Sequence, residues 1–377
     1  MNIVVQFGAG SVGRGHIGHI FSKAGYKVIF ADVDDQLISL LRDKKYYTVR
    51  LIGESVREEN VKDFEIYHIN RDRDKLLEYI SQASIISTAV GPNVYLSLAP
   101  IIAEGLKMHI PFPTNVIACE NFYRSTEKLK SEISKYFSPL PEWIGFPNVE
   151  IGRIVPPSER GSLAVNVEDY DEFLIEKSAF VGPLINIKGL DFVDDFNLFW
   201  KRKIYTVNTG HAILGYLGFL KGYTYVSDAI QDAWIREILI GALKEVKALL
   251  VRLGLDLIYI EDYLDILLRR FSNKNLGDTV FRVGRDPIRK LGPEDRLVGP
   301  ALECERYNLS FDNLAIGIAG ALLFDYEEDK SALELQERIK KEGLDTVLKD
   351  VCKISLDSPL AYKIKEYYTV LEELKKR

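Results

Sequence analysis

The chain has 377 residues, 47% of them hydrophobic and 28% charged, with a formal net charge of −6. That length supports two or three domains with cores of their own, and the acidic balance argues against a general affinity for nucleic acid. No basic N-terminal segment leads into an apolar run, and no apolar stretch reaches the roughly 20 residues that span a bilayer, so a cytoplasmic chain without signal peptide or membrane contact is expected.

Residues 3–7, IVVQF, read as a short buried parallel strand. GAGSVGRG follows, then the helix-like HIGHIFSKAGY and a second strand, KVIFAD. ASIISTAV (83–90) repeats the theme and ends at GPN. NVIACEN (115–121) is another buried strand, followed by the amphipathic, charged STEKLKSEISKYF. Strands alternating with helices predict a doubly wound parallel sheet. From about residue 190 the texture changes. SDAIQDAWIREILIGALKEVKALLVRLG carries an apolar stripe at helical period, and EDYLDILLRRF, DNLAIGIAGALLFD, ALELQERIKKEG and SPLAYKIKEYYTVLEELKKR also read as helices. The three cysteines, Cys119, Cys304 and Cys352, are too scattered for a disulfide framework or a zinc pattern and fit a reducing compartment. His16 and His19 stand three apart, but no nearby Cys, Asp or Glu completes a ligand set, so helix packing or cofactor contact is expected there and no metal.

Gly8, Gly10 and Gly13, with Ala9, Ser11 and Val12 between them, make G-x-G-x-x-G directly after the first strand. The glycines permit a tight turn, close approach of a pyrophosphate and close helix–strand packing, while the helix start offers free N–H groups. Asp32 closes the second strand, nineteen residues past Gly13. A carboxylate there accepts from ribose hydroxyls and repels a 2′-phosphate, which favours NAD over NADP. Thr88, Ala89, Val90 and Asn93, in TAVGPN, close a later strand where the second half of the nucleotide is expected; an ordinary β–α turn is the alternative. The expected architecture is α/β, with a Rossmann-type NAD-binding domain over residues 1–192, a mainly helical substrate-binding and catalytic domain over 193–377, and the active site in the cleft.

KIYTVNTGHAILGYLGFL, from Lys203, is mostly apolar yet carries Lys203, Asn208 and His211. On an ideal helix, positions eight and three apart lie about 80° and 60° from each other, so the three side chains can share a face. Oxidation of a secondary alcohol needs a base for the hydroxyl proton and donors for the developing oxyanion; a neutral lysine and asparagine amides suit those tasks. Equally, Lys203 can snorkel outward while Asn208 and Thr209 act as local caps. Further on, RVGRDPIRKLGPEDRL gathers Arg282, Arg285, Arg289, Lys290 and Arg296 in an otherwise acidic chain. Asp286-Pro287 and Gly292-Pro293 are turn signals, so the cluster is either a shaped anion-binding loop or a solvated charged one.

GAGSVGRG, TAVGP, ENF, GFPN, RIVPP, TVNTGHA, YLGFLKGY and DTVFRVGRDPIRKLGPEDRLVGPA together resemble the polyol-specific long-chain dehydrogenases, from residue 1 to about 325. The resemblance implies a zinc-independent, NAD-linked alcohol dehydrogenase with the signature K-x4-N-x2-H, which Lys203, Asn208 and His211 fill. It makes Lys203 the general base, pairs Asn121 of CENF with Asn208 around the substrate oxygen, and has His211 orient substrate or lysine. GRDPIRK is similar to the mannitol-phosphate branch, so Arg285 and Arg289, then Lys290, are expected on a substrate phosphate. The implied reaction is reversible oxidation of D-mannitol 1-phosphate to D-fructose 6-phosphate, with a sugar phosphate as partner and the chain a monomer or dimer. Rivals are a sibling acting on free mannitol or a hexuronate, an analogous sugar-acid phosphate dehydrogenase, and a non-catalytic NAD sensor. Two departures stand out. The family usually has aspartate before the arginine of RIVP, where this chain has Gly152, and Phe173 stands where tryptophan is expected.

Overall fold

In the computed structural model, residues 2–375 are described apart from Glu54, Pro157, Glu159 and Arg160, so the last proline of RIVPP lies outside the described residues. The chain divides into two units, Met1–Phe196 and Asn197–Arg377.

The first unit holds β1 (Ile3–Phe7), β2 (Lys27–Asp32), β3 (Tyr47–Ile52), β4 (Val56–Val61), β5 (Phe64–His68), β6 (Ile85–Thr88), β7 (Thr114–Ala118), β8 (Ile144–Gly145), β9 (Val149–Ile151), β10 (Ala164–Glu168), β11 (Phe173–Glu176) and β12 (Leu190–Val193). Six of them form an all-parallel sheet in the order β5-β2-β1-β6-β7-β8. Side chains alternate between its faces. Val4, Val28 and Phe30 enter one core cluster, and Ile3, Val5, Phe7, Ile29 and Ala31 the other. Both faces are therefore dry, which is why these strands read as unbroken apolar runs. Strand order reverses between β1 and β6, and the crevice beyond their carboxyl ends is where such sheets hold ligands.

Two further sheets were silent in the sequence pattern: β10-β3-β4 and β12-β11-β9. The strand VREENV (β4) leaves most of its length in solvent and offers no apolar signal. In the second unit the structured elements are helical, as expected, but the long stretch from Ser227 is two helices, Val226–Ala229 and Ala233–Arg252. Asp232 divides them, because its carboxylate accepts from the backbone N–H groups of Trp234 and Ile235, each at 3.1 Å, and so caps the second. Among the described residues no helix is long and apolar enough to cross a membrane.

Candidate active site

The turn after β1 is built so that only glycine fits two of its positions. Gly8 has φ +91° with Ala89 O 2.6 Å from where a Cβ would stand, and a Cβ on Gly13 would lie 1.9 Å from Gly8 O. Gly10 differs: a Cβ there would meet no protein atom within 4 Å. Nothing in the fold demands glycine at that exposed position, whereas a pyrophosphate laid against the backbone does. The residues present thus fit a dinucleotide. Gln6, the polar residue in IVVQF, braces the turn from below by donating to Phe7 O (2.7 Å) and Gly8 O (3.2 Å). Arg14, missed by pattern reading, lies buried beneath it and donates to Ala9 O at 2.7 Å and Ser162 O at 2.9 Å; burial lowers its pKa. Ser11 bonds Ser158 at 2.9 Å, and Val12 is half-buried beside it.

Asp32 stands at the end of β2, and it has structural work as well. One carboxylate oxygen accepts from Ala9 N at 2.6 Å, the other from Val33 N (2.7 Å) and Asp34 N (3.0 Å). The first oxygen keeps acceptor capacity for a ribose hydroxyl.

The loop after β6 is held by a residue the motif search passed over. Glu120 accepts from Val90 N at 3.0 Å, from Thr88 Oγ1 at 3.1 Å and from the Tyr95 hydroxyl. Ala89 N donates to Phe7 O at 2.8 Å, so the loop is tied to β1 as well. Asn93, in a short 3₁₀ turn, and Asn121, just past β7, are both exposed.

The helix bearing Lys203 begins at Phe196 and changes type at the signature. Ile204–Asn208 is a π-helical turn, and α-helix resumes over Thr209–Leu220. In an α-helix, residues five apart would point about 140° away from each other. A π turn closes on i to i+5, which stacks Asn208 over Lys203, and His211 follows three α-residues later. The π turn thus lets the three positions fall on one side, which uninterrupted α geometry would not. Lys203 and Asn208 are buried. Lys203 Nζ lies 5.6 Å from the Trp200 ring centroid. The Asn208 Nδ2 donor is buried and meets no acceptor among the described residues, a costly arrangement unless a ligand supplies one. Thr209 fixes the turn by donating to Ile204 O at 3.3 Å and to Arg296 O.

His211 packs edge-on against Phe271, ring centroids 4.8 Å apart. Its Nε2 is 3.6 Å from Asp278 Oδ2, and Arg282 grips that carboxylate at 2.5 Å through two nitrogens. Burial, only partly offset by Asp278, lowers the His211 pKa to about 4, with Arg282, Arg270 and Arg296 pushing the same way. The imidazole is neutral at pH 7.

The cationic loop does not behave as one cluster. Arg285 is exposed, and its side chain makes no hydrogen bond or ion pair among the described residues. Arg289 is shared between Asp286 (2.6 Å) and Asp295 (3.1 Å). Lys290 turns inward: its ammonium is buried on Val283 O at 2.5 Å, and burial together with Arg296 and Arg289 lowers its pKa to about 7. One of its three donors is thereby committed to the loop's own backbone. Arg296 is buried, pairs with Asp295 at 2.7 Å, and its charge helps to depress the His211 pKa.

Both departures have structural answers. A Cβ at Gly152 would come 2.2 Å from Glu172 Oε2, so a neighbouring carboxylate fills the space. Phe173 is buried against His16 and Phe21, with ring centroids 5.6 and 6.3 Å away. His19 bonds Glu59 at 2.7 Å, and among the described residues no three His, Cys, Asp or Glu side chains form a metal-sized group.

Residues 2–189 match the mannitol dehydrogenase Rossmann domain, and residues 195–371 the mannitol dehydrogenase C-terminal domain. The chain is 39% identical to mannitol-1-phosphate 5-dehydrogenase of Geobacillus stearothermophilus over 98% of this chain and 100% of that one. It is 41% identical to the Bacillus subtilis protein of the same name over 95% and 97%. Among solved structures, Pseudomonas fluorescens mannitol 2-dehydrogenase, in ternary complex with NAD and D-mannitol, matches with TM-score 0.75 at 17% identity, covering 100% of this chain and 94% of that one. A substrate-free D-sorbitol dehydrogenase matches at 0.77 and 18% identity, covering 99% and 94%. These two likenesses establish the fold, and the family models together with the curated relatives establish the rest: the chain belongs to the mannitol dehydrogenase family.

Proposed function

We propose that the protein is an NAD-dependent dehydrogenase interconverting D-mannitol 1-phosphate and D-fructose 6-phosphate. The observation that carries this reading is the π turn over Ile204–Asn208, between Lys203 and His211, together with the buried, unpartnered Asn208 donor. Names of the curated relatives support the substrate. NAD, when bound, supplies the hydride acceptor. Lys203 Nζ takes the hydroxyl proton as the carbon–hydrogen bond breaks, and returns it in the reductive direction. Asn208 donates to the oxygen as it gains or loses negative charge, with Asn121 as a second amide donor. Neutral His211, held by Asp278, orients the substrate hydroxyl without adding charge.

Gly8, Ala9, Gly10, Ser11, Val12 and Gly13 form the pyrophosphate cradle, Asp32 takes the adenosine ribose, and Thr88, Ala89, Val90 and Asn93 line the nicotinamide half. For the substrate phosphate, Arg285 and Arg289 are the proposed ligands, with Lys290 less favoured; Arg296 is the second candidate because its charge reaches His211. A monomer or dimer in the cytoplasm is the matching setting, and three buried, unpaired cysteines suit a reducing one. NADH oxidation with fructose 6-phosphate and free fructose side by side tests the proposal. Turnover on the phosphate ester far above that on fructose is expected; equal efficiency on both would favour a free-polyol dehydrogenase.

A further inference from the structure

We infer that Glu120 is the positioning residue of the dinucleotide site, locking the 88–93 loop to the end of β7. The inference rests on reading that loop as the nicotinamide half of an NAD site. Glu120 Oε1 accepts from Val90 N at 3.0 Å, while Oε2 accepts from Thr88 Oγ1 at 3.1 Å, from the Tyr95 hydroxyl and, at 3.5 Å, from Ser125 Oγ. One carboxylate thus joins the end of β6, the loop after it, the helix Tyr95–Lys107 and the helix Ser125–Ser134, and it stands directly before Asn121.

The wiring is unusual for a stabilising carboxylate. No lysine, arginine or histidine pairs with Glu120 among the described residues. A carboxylate sequestered without a cation is expensive, and a neutral residue of the same shape would relieve that cost. Yet the Val90 N–H and the Thr88 and Tyr95 hydroxyls all donate to it; an ionised carboxylate accepts from all of them at once, whereas a protonated carboxyl or an amide turns one of its two ends into a donor. Burial raises the Glu120 pKa against the pull of those hydrogen bonds. The other titratable groups facing it are Tyr95, across the loop, and Cys119, on its own strand end; burial holds both protonated across the neutral range. Loop position therefore depends on the charge of Glu120, which is lost on acidification at a higher pH than for an ordinary carboxylate.

NADH affinity of the wild-type chain, Glu120→Gln and Tyr95→Phe, measured by fluorescence titration from pH 5 to 8 beside thermal unfolding, tests the inference. Glu120→Gln should weaken NADH binding about tenfold at pH 7, the scale of one charge-assisted hydrogen bond. Its affinity should stay flat where that of the wild type falls on the acid side. Tyr95→Phe removes a donor to the charged form, so the acid limb should move to higher pH. Wild-type affinity and an unchanged acid limb in Glu120→Gln would overturn the inference, whatever happens to its melting temperature. Should that variant fail to fold, an unmoved limb in Tyr95→Phe overturns it equally. A wild-type chain that does not bind NADH at all would overturn the nucleotide-site reading and this inference with it.

Discussion

His211 Nε2 and Asp278 Oδ2 lie 3.6 Å apart, within reach of each other's charge but beyond a good hydrogen bond. Asp278 is itself immobilised by Arg282, so it acts as a fixed negative wall behind the ring. Asp278→Asn should lower kcat/KM by about 10²-fold, the scale of an ångström-sized loss of positioning. The imidazole should remain neutral, because removing the carboxylate lowers its pKa further. Kinetics beside NMR titration of His211 would check this; a rise in the histidine pKa would refute it.

The same histidine should make the protein acid-sensitive. Its folded pKa, about 4, lies below the ordinary value of 6.5. A depressed pKa means that the unfolded chain binds the proton more readily. The contribution to stability is therefore complete above pH 6.5 and is lost as pH falls toward 4, and it amounts to roughly 3 kcal/mol. Urea unfolding at pH 7 and pH 4.5 should show a smaller acid loss in His211→Asn than in the wild type.

The fold's parallel sheet was legible because its strands are buried on both faces, and the glycine turn because its spacing is dictated by backbone contacts such as Gly13 against Gly8 O. The strands β3 and β4 were not, since alternation with charge looks like loop. The K-x4-N spacing was visible, but its meaning lay in a π turn that no α-period argument contains. Glu120, Asp278 and Arg14 were invisible as site residues because their roles come from partners 30 to 148 positions away that only folding brings together. Lys290 is a different case: composition marks a cation, and only packing reveals its bond to the Val283 carbonyl.

Lys203→Ala should retain NADH binding and lose most turnover, by about 10²- to 10⁴-fold as for other general bases. Mannitol 1-phosphate oxidation by the wild type should rise with pH through the lysine titration, since only the neutral amine accepts the proton. A chelator should leave the rate unchanged. Full activity in the alanine variant would remove Lys203 from the chemistry.

Asp32→Ser should raise the ratio of NADPH to NADH use, because a 2′-phosphate no longer meets a carboxylate. Ala9 N also loses its 2.6 Å acceptor, so absolute efficiency should fall with both cofactors. Steady-state kinetics with each nucleotide would separate the two effects. An unchanged ratio would mean that Asp32 only braces the turn.

The substrate phosphate supplies the last test, because three arginines differ in what they must give up to bind it. Arg285 breaks no ion pair. Arg289 must share itself with Asp286 and Asp295, and Arg296 is already committed to Asp295 at 2.7 Å and buried. If the phosphate sits at the loop tip, Arg285→Ala and Arg289→Ala should each cost catalytic efficiency on fructose 6-phosphate about tenfold or more, as loss of a charge-assisted contact does, with NADH affinity nearly unchanged. Remote binding energy also orients the reacting carbon, so kcat should fall along with affinity. If the phosphate sits beside His211 instead, Arg296→Lys should produce that loss while the two tip variants behave as wild type. Lys290→Met should spare substrate efficiency in either case, because its ammonium serves the Val283 carbonyl; a selective loss on fructose 6-phosphate in that variant would place Lys290 on the phosphate after all.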